Sequence, residues 1–166
     1  MDKFLSLVKK QTVGTWITLG AFVLTLVSAI IYGVHVGGAG YFQGNAVGVT
    51  VAFTVLSLIA EAAIIVLAQF EFEGIWGTVV KVALDVLKIV LAFILMLALI
   101  PFLTSRLEGL AYILFCDENL RPVLQTAENM SSVGSAVTGF VFYIITWLAA
   151  VVAAFFTAGI RRTENQ

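Results

Sequence analysis

The chain has 166 residues, of which 61% are hydrophobic and 11% charged, against about 45–50% and roughly 25% in soluble domains. A soluble domain of this length has nowhere to bury so much apolar surface, so the default solvent for most of the chain is lipid. The net charge of −1 leaves no basic footprint for nucleic acid. One cysteine, Cys116, and one histidine, His35, exclude an intramolecular disulfide and a CxxC motif, and leave too few soft ligands for a transition-metal site.

Four apolar runs follow in chain order, at residues 13–34, 46–69, 76–103 and 134–160. Each can cross a core of about 30 Å at roughly 1.5 Å per residue, and in lipid each should be a helix. The first run exceeds the h-region of a signal peptide and no A-x-A site follows it, so it reads as a retained helix. The fold expected is all-α: a single polytopic membrane domain over 1–166, an antiparallel bundle of four transmembrane helices. The outer segment 104–133 should carry a short interfacial helix over 106–115, "RLEGLAYILF", with Pro101 ending or kinking the third span before it. The acidic turn 70–74 makes the second and third spans a hairpin.

Orientation follows from the basic residues. Lys3, Lys9, Lys10, Arg161 and Arg162 share one side, with Lys81 just inside the third span; Arg106 and Arg121 lie on the other. The positive-inside rule then puts both termini in the cytoplasm, with the plasma membrane as the expected location. Trp16 and Trp76 fall near the inner interface, and Tyr32 and Tyr41 near the outer one.

Within the spans the polar residues keep helical spacing. Thr50, Thr54, Ser57 and Glu61 are separated by 4, 3 and 4 residues and fall within a wedge of about 60°. The first span aligns Thr18, Ala21, Thr25, Ser28, Tyr32 and His35; the fourth aligns Ser135, Thr146, Ala149, Ala153 and Thr157. Such faces expect to pack inward as close-approach and hydrogen-bonding surfaces. Ala149 and Ala153 form a small-residue packing face that could instead seat a neighbouring subunit.

Lys81, Asp85 and Lys88 share a face of the third span. Across the hairpin, Glu61 falls at the depth of Asp85 and Lys88. These four residues are expected to form a neutral charge cluster, because a lone charge at such depth is destabilising by roughly 2.5–3.5 kcal/mol. The cluster reads first as an ion-pair lock that docks the second span on the third, then as a proton or ion relay, then as a docking site for another protein's charged helix.

His35 is expected to be solvated at the outer end of the first span, and Cys116 to be a buried thiol. Asn129-Met130-Ser131 is an N-glycosylation triplet on the outer side, and Trp147 is expected to pack inside the bundle or against a partner. No catalytic constellation or phosphate-binding loop is present in the sequence. The chain therefore reads as a non-enzymatic subunit or scaffold needing no cofactor or metal, in contact with the lipid bilayer and assembling with itself or other membrane subunits. The alternative is a small oligomeric ion- or proton-coupled transporter or channel using Glu61 and the Thr50–Thr54–Ser57 stripe.

Overall fold

The computed structural model describes residues 11–70 and 74–158. Lys3, Lys9, Lys10, the centre of the 70–74 turn, Arg161 and Arg162 lie outside the described residues. Among the described residues five helices follow in order: α1 (Val13–Gly37), α2 (Gly48–Leu67), α3 (Gly74–Leu114), α4 (Arg121–Leu124) and α5 (Ala127–Ala154). All except α4 are long and apolar enough to cross a membrane. The chain is a multi-pass integral membrane protein.

Local chemistry sets several of the ends. Thr12 caps α1 by accepting from Thr15 N, and Thr126 caps α5 by accepting from Asn129 N. The side-chain hydroxyl of Thr12 also donates to Thr157 O at 3.0 Å, which joins the start of α1 to the segment after α5. Gly40 turns the loop between α1 and α2 at φ +114°. A Cβ there would lie 2.6 Å from Glu128 O, so only glycine fits.

Contacts between helices run in opposite orders along neighbours, so the bundle is antiparallel. On α1 and α5, Ser28 meets Thr146 and His35 meets Ser135. On α2 and α3, Thr50 donates to Ala98 O while Ile64 packs in one cluster with Leu84. Helices α1 and α3 each pack on both α2 and α5, so the four long helices close a ring.

The third span differs from its sequence-based boundaries. Helix α3 has 41 residues and runs through Pro101 to Leu114, so residues 106–114 are its last turns and not a separate interfacial helix. A proline removes one backbone donor, and packing compensates. Beyond it, Phe102, Arg106, Gly109, Leu110 and Ile113 continue the buried face of the helix. Gln125 Nε2 donates to Ile113 O at 3.0 Å and covers the helix end. The outer segment does hold a short helix, the four-residue α4.

Lipid-facing and interior residues divide as a bundle in a bilayer requires. Val23, Ile30, Val55, Ile59, Phe93 and Val141 are exposed, while Thr18, Thr25, Ser28, Thr50, Ser57 and Thr146 are at most 1% exposed. With lipid as solvent, apolar side chains gain nothing by leaving it, and hydroxyls are satisfied inside. Tyr32, expected at the outer interface, is buried instead, and its hydroxyl accepts from Val47 N at 2.6 Å.

A buried polar axis as the candidate functional site

The interior of the ring is a stack of polar contacts. At its centre, Thr54 Oγ1 donates to Thr50 O at 2.7 Å, so the 2.8 Å contact with Tyr143 places the phenol as donor to Thr54. Ser57 Oγ donates to Phe53 O at 2.8 Å, and Ser28 and Thr146 are joined at 2.8 Å. The stripe Thr50, Thr54 and Ser57 is thus entirely interior. On α5 the buried face is Thr146, Ala150 and Ala153, with Ala149 half-buried at its edge. Ala153 is consumed by packing within the bundle.

Glu61 is fully buried. Its Oε1 lies 3.0 Å from the hydroxyl of Thr25, the midpoint of α1, and its Oε2 has no hydrogen-bond partner among the described residues. The same Thr25 hydroxyl lies 3.0 Å from Ala21 O. One proton therefore serves two acceptors.

The four expected cluster residues do not converge. Lys88 pairs with Asp85 at 3.1 Å and donates to Phe156 O at 2.7 Å, and this is the one ion pair among the described residues. Lys81 is exposed and outside it, and Glu61 has no cation within ion-pair distance among the described residues. Side-chain direction explains the separation. Helical side chains lean toward their own N-terminus. Antiparallel α2 and α3 therefore send neighbouring side chains in opposite directions: Glu61 outward to mid-bundle, Lys88 inward to the carbonyls past α5.

A second buried centre lies at the end of the bundle that holds the α1–α2 loop, where His35 was expected to be solvated. Arg106 is fully buried and His35 is 1% exposed. Arg106 Nε donates to His35 Nε2 at 3.1 Å, and Nη2 donates to Asn45 O. The guanidinium carbon lies 4.9 Å from the centre of the Phe42 ring. An arginine can only donate, so His35 Nε2 must accept, and Nδ1 carries the proton to Ser135 Oγ at 2.9 Å. Ser135 then donates to Ser132 O at 2.9 Å. The chain Arg106–His35–Ser135–Ser132 has one direction, and His35 is neutral within it.

The signal for Arg106 was present in the sequence. Leu91, Leu95, Ala98, Phe102, Arg106, Gly109 and Ile113 continue one 3–4 spacing, but a helix stopped at 103 hides the last three. Cys116 is half-buried. Asn129 lies in the first turn of α5, and its side chain donates to Leu124 O at 2.9 Å. Among the described residues, no three His, Cys, Asp or Glu side chains come together as metal ligands. Comparison with protein-family models, curated proteins and solved structures returned no match for this chain.

Proposed function

We propose that this protein is a small, non-enzymatic, proton-coupled transporter in which Glu61 is the group that gains and loses the proton. The supporting observation is a fully buried carboxyl at mid-bundle that has, among the described residues, no cation beside it and one oxygen without a partner. The ion-pair lock, which favoured a purely structural role, needs a lysine at Glu61, and none of the described lysines is within ion-pair distance of it. An unpaired ionisable side chain inside a membrane is a functional centre by default, since structure alone gives no return on its insertion. A carboxyl carrying its own proton also completes the hydrogen-bond set at Thr25, where one hydroxyl proton faces two acceptors.

The subunit or scaffold reading keeps one supporting observation. An apolar groove of about 470 Å³ lies between α3 and α5, walled by Phe93, Met96, Trp147 and Val151, and is shaped to take an apolar segment. One experiment separates the readings. Wild type and Glu61→Gln are reconstituted in liposomes, and proton movement is followed with an internal pH dye under a potassium-diffusion potential. The expected result is wild-type flux above empty liposomes, reduced at least tenfold in Glu61→Gln of unchanged oligomer size. Absence of wild-type flux, with a mutant that loses assembly, overturns transport in favour of the subunit reading.

A further inference from the structure

We propose that the outer end of the bundle holds a binding site for a small oxyanion of single negative charge, built on Arg106 and lidded by the loop between α1 and α2. The site stands apart from Glu61 and does not rest on its role. It is carried by a guanidinium enclosed in protein with nothing negative beside it. Arg106 is 0% exposed, and no carboxylate lies within ion-pair distance of it among the described residues. Its neighbours are the neutral ring of His35, the Asn45 carbonyl and the Phe42 face, and Nη1 has no partner among the described residues. Charges out of water are stable when paired and hydrogen-bonded, and this one is only partly hydrogen-bonded.

The geometry selects the ligand's chemistry. Arginine offers two parallel N–H groups to a pair of oxygens, the pattern of a carboxylate or a phosphodiester. Nη1 is buried without a partner among the described residues, and Nη2 is held by the Asn45 carbonyl of the loop, which a ligand oxygen can replace. The site has one permanent positive charge, because His35 is neutral while it accepts from Arg106. One negative charge balances it, and a dianion does not.

The loop governs both entry and closure. A cleft of about 340 Å³ between the end of α1 and the start of α5 has Glu128, Ser132 and Ser135 in its wall; Arg106 does not line it, so the ligand reaches the guanidinium only when the loop moves. Ser135 is also the acceptor for His35 Nδ1, so the cleft and the buried chain share a residue. The loop supplies both covering groups, Phe42 and Asn45. It turns at Gly40 and Gly44, where φ is +114° and +72°, so its path runs through left-handed positions that only glycine takes at no strain.

The test uses the full chain purified in an uncharged maltoside detergent, with thermal unfolding followed against acetate and, separately, against short-chain phosphatidylglycerol. Chloride and short-chain phosphatidylcholine serve as matched controls. A saturable rise in Tm with acetate identifies a free carboxylate as the ligand, and a rise with the anionic lipid alone identifies a headgroup phosphodiester. In either case Arg106→Gln is expected to lose the rise. Should Arg106→Gln fail to fold, Arg106→Lys keeps the charge without the fork, and the expected result is an apparent Kd at least tenfold higher. A wild type indifferent to both anions, or a response that survives unchanged in the variant, overturns the site.

Discussion

Lys81 and Lys88 show how far one residue's surroundings outweigh its type. They lie seven positions apart on α3, yet Lys81 is exposed and Lys88 is fully buried. Lys88 ties α3 to the chain beyond α5 through Phe156 O and holds Asp85. Lys88→Met keeps the length of the side chain and removes both bonds. The side chain of Asp85 is 47% exposed on a span whose solvent is lipid, so the substitution also leaves its carboxyl without its cation there. The expected cost is about 1–3 kcal/mol, read as a lowered unfolding temperature in detergent. Lys81→Ala should change the same measurement by less than about 0.5 kcal/mol. Equal effects of the two substitutions would contradict the assignment of Lys88 as a tie.

At the scale of the element, α1 has one closely approached face and one open face, and its glycines tell them apart. A Cβ on Gly14 would lie 2.3 Å from Thr157 O and 2.6 Å from Thr157 C. These are backbone atoms, so the two segments must move apart. Gly14→Ala is expected to destabilise by about 1–3 kcal/mol. A Cβ on Gly20 meets nothing within 4 Å. Gly20→Ala should stabilise the helix by roughly 0.5–1 kcal/mol, because alanine loses less backbone entropy on folding. Thermal unfolding of the pair checks both signs, and a stabilised Gly14→Ala would show that the end of α5 does not press on α1. Helix α3 makes the complementary point. Its proline is tolerated because the residues after it, Phe102, Leu110 and Ile113 among them, are fully or nearly buried against the loop and α5.

At the scale of the whole molecule, the bundle has an interior of opposite character at its middle and at one end. Glu61 contributes the uncompensated carboxyl and Arg106 the uncompensated guanidinium, with the Thr54–Tyr143 and Ser28–Thr146 pairs between them. The positive-inside rule predicts that the end of the bundle away from Arg106 faces the cytoplasm. Fusion of an alkaline phosphatase or a fluorescent protein after position 166 is expected to give cytoplasmic fluorescence and no phosphatase activity. The reverse pattern would invert the bundle and place the Arg106 end inside the cell.

The sequence by itself determined the solvent, the number of spans, and the inward face of α1 and of the Thr50–Thr54–Ser57 stripe. Each of these depends on composition or on a period of 3.6 residues, and both are local. On α1, Thr18, Ala21, Thr25, Ser28, Tyr32 and His35 share the buried face, since helical spacing alone fixes which side chains point together. Only the tertiary structure decided the partners. Glu61 and Lys88 miss each other because antiparallel helices lean their side chains apart, and spacing along one chain carries no such information. Arg106 and His35 meet because α3 continues past Pro101, and packing against the loop and α5 stabilises those turns beyond any local preference. Two buried ionisable centres with no counter-charge among the described residues were therefore invisible until the helices were placed side by side.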